Sequence, residues 1–207
     1  IVTDVDANGD LLGACLNGAS DNRARPSGVI WALSAGEPSR TRHEIDLDVL
    51  RAAVHQIRGN AEPFMCDDDA VYGLAAMDRW ADRMETVEHF CDPCQSREAG
   101  SAVGCAWLTA VTFSDGAAAV ASYLRSRMDS YAAPSRPHID ETARRYERIV
   151  DLLRPTLHGN AGDQYRQILG DMAEQRKHAA TLREARDELT AAASAMQLAV
   201  ESATSAW

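Results

Sequence analysis

The chain has 207 residues, of which 45% are hydrophobic and 25% are charged, a composition typical of a globular protein with a buried core. Its formal net charge of -10 argues against a nucleic acid or an anionic membrane as a partner, because clustered Lys and Arg usually bind such partners. No apolar run approaches the roughly 20 residues that span a bilayer. The five cysteines are an odd, scattered set, which favours a reducing, cytoplasmic compartment over a disulfide framework.

The first predicted elements are two short strands joined by a tight turn. The β-rich runs at residues 1–5 and 11–16 flank Asn8 and Gly9, which supply the positive φ angles of a hairpin turn. The same loop begins like a calcium-binding loop, with acidic or amide side chains at its first, third and fifth positions. Its twelfth position is Cys15, where a bidentate Glu is required, so the hairpin is the favoured interpretation.

A third strand and a first helix are predicted next. Residues 27–35 contain Val-Ile-Trp-Ala-Leu between a proline and Gly-Glu-Pro, which is typical of a buried strand between loops. Residues 46–58 have helical periodicity, and we expect Asp46 to cap this helix and Gly59 to end it. The apolar stripe of this helix is Leu47, Leu50, Val54 and Ile57. His55 lies one residue beyond the stripe and is interpreted as a surface or boundary residue.

Two stretches could in principle bind a metal. The three carboxylates at residues 67–69 suit the positive end of the following helix better than a metal site, because adjacent side chains diverge. Cys91 and Cys94 form a Cys-x-x-Cys pair that could bind zinc or act as a dithiol. Zinc would need further ligands from Cys66, Cys105 or a distant histidine, so an inert loop is favoured. We predict no metal and no cofactor.

The rest of the chain is predicted to be helical. The patterns cover residues 70–84, 99–127, 139–153 and 164–202, and Pro155 is expected to break the third of them. The second helix contains three glycines, Gly100, Gly104 and Gly116. Because glycine weakens a helix, these residues indicate that another helix or a ligand approaches closely, and an interruption near Gly116 is also considered.

The order of these pieces resembles a family of bacterial papain-like cysteine hydrolases and acyltransferases, which includes the acyltransferase of butirosin biosynthesis. The resemblance depends on Tyr72-Gly73-Leu74 with Trp80, on the Ala-rich helix at residues 105–125, and on Tyr146-Glu147. It covers nearly the whole chain, but only as the second half of the family's proteins.

The resemblance implies an α+β, mainly α fold. Residues 1–43 would be the strand-rich remnant of a papain-like domain, with short antiparallel strands that complete its sheet, and residues 44–207 would form a C-terminal helical bundle. Because the chain begins with Ile and not with Met, we interpret it as processed or truncated. The family's nucleophilic Cys and its His would then come from a missing N-terminal segment or a second chain.

Asn17 is the candidate catalytic residue that the resemblance implies. In papain-like sites an Asp or Asn after the strand that follows the His orients the imidazole, and Asn17 has that position. The interpretation from the residues alone is a strand-end turn. Cys15 is not expected to replace the nucleophile, because it lies within a predicted strand and not at a helix N-terminus.

Two functions remain open from the sequence. The first is part of a cysteine hydrolase or acyltransferase that acts on a small-molecule or acyl-carrier substrate with an acyl or amide group. The alternative is a non-catalytic helical module for binding or assembly, whose strands dock onto a partner sheet. Either could form a homo-oligomer. In both cases the apolar strands are expected to pair with further strands from a missing segment or another chain.

Overall fold

The computed structural model divides the chain into two compact units, Ile1–Ser39 and Arg40–Trp207. It describes the backbone of residues 2–5, 11–13, 22–24, 41–59, 71–86, 97–157 and 161–204, and the side chains of residues 41, 43–59, 71–86, 106–157 and 163–204.

The described residues of the first unit form three short strands. They are β1 (Val2–Val5), β2 (Leu11–Gly13) and β3 (Asn22–Ala24), and they pair antiparallel in the order β1-β2-β3. Val5 lies opposite Leu11, as a hairpin across residues 6–10 requires, and the register is irregular between Val2 and Asp4. The predicted strand at residues 27–35 lies outside the described residues.

The expected α+β architecture, with a papain-like sheet followed by a helical bundle, is wrong. From Thr41 onward the described residues form helices and contain no strand. The described strands have only three or four residues each, whereas the described helices have 10 to 33 residues. The helices bury their apolar stripes against one another, so they need no sheet as a packing surface.

Six α-helices lie in the described part of the second unit. They are α1 (Arg42–Ile57), α2 (Gly73–Thr86), α3 (Arg97–Ser126), α4 (Arg136–Leu157), α5 (Ala161–Gly170) and α6 (Met172–Thr204). A 3₁₀ turn, Met128–Ser130, lies between α3 and α4. The helix α3 runs through Gly116 without interruption, and α4 ends two residues after Pro155.

The long helix α6 is the centre of the bundle. It packs against α1, α2, α4 and α5, while α3 packs on α4 and α5. Its buried face includes Ala179, Ala185, Ala192 and Ala199, and small side chains let neighbouring helices approach closely. The largest fully buried apolar side chains of the bundle are Tyr131, Tyr165, Leu124, Ile139, Ile149, Leu153, Leu169, Leu182 and Met196.

The start of α1 differs from the expectation. Thr41 caps this helix in a capping box, because its hydroxyl accepts from the Glu44 backbone while the Glu44 carboxylate accepts from the Thr41 backbone. Asp46, expected as the cap, lies one turn into the helix and is buried. The predicted apolar stripe is buried and His55 is exposed, as predicted. Gly59 follows the end of the helix with φ of 73°.

The single helix predicted over residues 164–202 is also wrong, because the chain breaks at Asp171 between α5 and α6. Asp171 Oδ1 accepts hydrogen bonds from the backbone N–H of Ala173 at 2.7 Å and of Glu174 at 3.4 Å. Gln175 Nε2 donates to the carbonyl of Leu169 at 2.7 Å across the break. These bonds satisfy donors and an acceptor that the interrupted helix leaves open.

Arginines on the surface of the bundle link neighbouring helices. Arg125 of α3 bonds both Asp140 and Glu147 of α4, and Arg183 of α6 bonds Glu85 of α2 at 2.6 Å. These bonds raise the pKa of Arg125 and lower the pKa of Glu147 and Glu85. The paired side chains are more than one-third exposed, so the pairs set helix register more than they stabilise the fold.

Candidate functional site

A groove opens between α1, α2 and α3 in the helical unit, with a cavity volume of about 910 Å³. Each of the three helices forms one wall, and the walls include Ile57 of α1, Trp80 of α2 and Phe113 of α3. Two buried residues, Tyr146 of α4 and Leu189 of α6, form its base. This feature is referred to below as the groove.

The wall formed by α1 and α2 depends on Gly73. Gly73 has φ of 63°, and a Cβ atom added to it would lie 2.6 Å from the carbonyl oxygen of Gln56, with the carbonyl group of Ile57 also in close contact. Glycine tolerates this φ angle and leaves room for the last turn of α1. The residue therefore holds the start of α2 against the end of α1, where Gln56, Tyr72 and Gly73 all line the groove.

The wall formed by α3 contains Gly116 in the middle of the helix. No atom of the described chain lies within 4 Å of the position that a Cβ would take on Gly116. The sequence predicted that another helix or a ligand approaches this glycine, and none of the described helices does so. Gly116 instead lines the groove, so it leaves open space on the surface of α3.

The base of the groove carries a phenol. The Tyr146 side chain is only 7% exposed, and burial raises its pKa to about 12. It therefore stays neutral at physiological pH and can donate a hydrogen bond. The other side chains of the lining that carry a polar group are Gln56, Tyr72, Trp80, Thr109 and Thr112, and no described residue of the lining is charged.

A buried carboxylate fastens one end of the α1–α3 wall. Asp46 of α1 is 1% exposed, and it accepts hydrogen bonds from Tyr123 Oη at 2.7 Å and from Arg127 Nη2 at 3.1 Å. Ser130 Oγ donates to the same carboxylate at 3.5 Å. On α1 the groove residues lie closer to the C-terminus of the helix than Asp46 does. On α3 they lie closer to the N-terminus than Tyr123 does. Asp46 thus connects the two helices beyond one end of the groove.

His178 supports the groove wall from behind. Its Nε2 lies 3.2 Å from Tyr165 Oη, and its ring packs edge-on against Trp80 with centroids 6.2 Å apart. Burial lowers the pKa of His178 to about 4, so the imidazole is neutral at physiological pH. Its Nδ1 has no hydrogen-bond partner in the described chain. His178 also borders a smaller cavity of about 380 Å³ between α4, α5 and α6.

The residues proposed for catalysis or metal binding from the sequence are not tested by this structure. Asn17, Cys15 and Cys66 lie outside the described residues, as do residues 67–69 and the Cys-x-x-Cys pair at residues 91–94. Cys105 lies in α3, but its side chain is outside the described set. Within that set, no group of three or more His, Cys, Asp or Glu side chains could hold a metal ion.

Several residues that the resemblance singled out do come together. Tyr72, Gly73, Trp80 and Tyr146 all line the groove, although Tyr146 is far from the other three in the sequence. Glu147 lies apart from them and pairs with Arg125 at 2.9 Å. The sequence did not single out Thr109 and Thr112 as functional residues. The only sequence signal for a site on their wall was Gly116, a glycine inside a helix.

No family model matches this chain, and no curated protein or solved structure matches it either. Among the described helices, none is both long enough and apolar enough to cross a bilayer.

Proposed function

We propose that the helical unit is a binding module that takes an apolar small molecule into the groove. The observation that carries this proposal is the cavity of about 910 Å³ with an uncharged, mainly apolar lining. Ligand sites in proteins are typically concave, apolar and about 300–1,000 Å³ in volume, with a few polar groups that orient the ligand. The Gln56, Thr112 and Tyr146 side chains are such polar groups in the groove.

Binding is favoured over catalysis by the chemistry of the lining. Its described residues include no Asp, Glu, His, Lys, Arg, Cys or Ser. A nucleophile with an adjacent base, or a paired acid and base, therefore cannot be assembled from them. Asn17 and the papain-like hydrolase or acyltransferase activity stay predictions from the resemblance, since no described residue carries that chemistry.

The open space above Gly116 provides a direct test. Gly116→Leu would place a side chain in the groove, its Cβ would meet no atom of the described chain within 4 Å, and leucine is also a good helix former. Gly170→Leu is the matched control. A Cβ atom on Gly170 would likewise meet no atom of the described chain within 4 Å, but Gly170 does not line the groove. Circular dichroism of both variants would establish that the bundle is intact.

The measurement is a fluorescence titration with Nile red, a neutral apolar dye that brightens in apolar sites. We expect saturable binding by the wild type and by Gly170→Leu, and binding at least about tenfold weaker by Gly116→Leu because the added side chain occupies the site. Absence of saturable binding to the wild type would refute the proposal. Equal affinity of all three proteins would show that the dye binds elsewhere, and would also refute it.

A further inference from the structure

We infer that the ligand of the groove is an elongated, electrically neutral molecule with an alkyl chain and a terminal hydroxyl or carbonyl oxygen that accepts a hydrogen bond from Tyr146. This inference rests on the proposed binding function and names the class of ligand. It is argued from the charge, the length and the base of the groove.

The first step concerns charge. Every described residue of the groove lining is uncharged, although 25% of the chain's residues are charged. Moving a carboxylate or an ammonium group from water into such a site is strongly unfavourable unless a counterion pairs with it. The described lining offers no counterion, so a fatty acid anion or an alkylammonium ion is disfavoured relative to a neutral molecule of the same length.

The second step concerns shape. Along α3 the lining runs from Leu108 to Val120. With a rise of about 1.5 Å per residue, this wall is about 18 Å long. Gly116 lies within it and has no atom of the described chain above it. A glycine in the middle of a helix weakens the helix by about 1 kcal/mol relative to alanine, and no packing by the described residues explains its presence here. The open strip along α3 matches an extended chain.

The third step concerns the polar end. Tyr146 belongs to the base of the groove, and its buried phenol is neutral, because burial holds its pKa near 12. A neutral phenol donates a hydrogen bond to a hydroxyl or carbonyl oxygen. Such a bond orients the ligand without requiring charge on either side.

The test uses competitors of one chain length that differ only in the terminal group. Decanol, decanoate and decylammonium would each be titrated as competitors of Nile red on the wild-type chain, at neutral pH and below their aggregation concentrations. We expect decanol to compete at least about tenfold better than either ion. Tyr146→Phe should weaken decanol about threefold to tenfold by loss of the hydrogen bond, while the affinity for Nile red changes little.

The outcomes separate this inference from the proposed function. If Nile red binds and Gly116→Leu blocks it, but decanoate or decylammonium competes as well as decanol, the groove is a binding site and the inference is wrong. An unchanged decanol affinity in Tyr146→Phe would refute the assigned hydrogen bond. If Nile red does not bind the wild type, the proposed function itself fails.

Discussion

Two glycines of the groove should respond to alanine in opposite directions. At Gly73, alanine would have to adopt φ of 63°, which costs an L-residue about 1–2 kcal/mol. Its Cβ would also lie 2.6 Å from the carbonyl oxygen of Gln56, a rigid backbone atom of α1. Adding the backbone shift that relieves this contact, we expect Gly73→Ala to lower the free energy of unfolding by about 2–4 kcal/mol.

At Gly116 the same substitution meets none of these obstacles. The residue lies inside α3, its Cβ would have no neighbour within 4 Å among the described residues, and its φ angle is not positive. Alanine has the higher helix propensity, so Gly116→Ala should raise the free energy of unfolding by about 1 kcal/mol. The pair therefore compares two substitutions of identical chemistry on opposite walls of the groove.

The assay is urea unfolding of the wild type and both variants, followed by circular dichroism of the helices. For a domain of this size, 1 kcal/mol corresponds to about 2–4 °C in the thermal midpoint, so a thermal scan gives a second readout. A Gly73→Ala protein as stable as the wild type would refute the close packing of α2 against α1. A destabilised Gly116→Ala protein would show that a protein segment does occupy the space above α3.

Two further predictions follow from the buried polar groups. Asp46→Ala should lower the free energy of unfolding by about 2–3 kcal/mol, because it removes a charged partner of Tyr123 and Arg127. A double-mutant cycle with Tyr123→Phe, measured by urea unfolding, should show non-additive losses of stability. Additive losses would contradict the contact between Asp46 and Tyr123. The pKa of His178 is about 4 in the folded protein and near 6.5 when unfolded, so the unfolded chain takes up the proton first as the pH falls. Stability that is complete above pH 6.5 should therefore fall by about 3 kcal/mol toward pH 4 on account of this residue. The variant His178→Phe should lose less stability over the same pH range, and an identical pH dependence would contradict the assigned burial.

The helical stripes of the second unit could be predicted from the sequence, because they depend on a local period. Leu47, Leu50, Val54 and Ile57 recur every three or four residues, and a 3.6-residue helical turn puts them on one face whatever lies opposite. The end of α1 just before Gly59 could also be predicted from the local sequence, because glycine accepts the positive φ that terminates a helix.

The two errors inside the helical unit involve residues that can form more than one local arrangement. Asp46 has the chemistry of a helix cap, but Thr41 supplies the cap and Asp46 is buried against α3. Asp171 lies in a continuous helical pattern, yet its side chain caps a new helix. Only the packing of distant helices decides which of these arrangements wins, because the local energies differ by about 1 kcal/mol.

The fold-class error had a different origin. Apolar runs before residue 40 were interpreted as part of a papain-like sheet, whereas the described residues are mainly helical. A short apolar run does not specify how many strands a sheet has, since strand pairing is made by hydrogen bonds to other segments.

The groove could not be derived from the sequence, apart from the signal of Gly116. Its walls and base combine residues from position 53 to position 189. The space between them exists because α1 and α2 pack on α6, while α3 packs on α4 and α5. Periodicity determines which face of each helix is buried. It does not determine which buried faces fail to meet, because that depends on the crossing of whole helices and on the side chains at each contact. The sequence by itself therefore determined the helices and their apolar faces, and the tertiary structure alone decided the cavity that they leave.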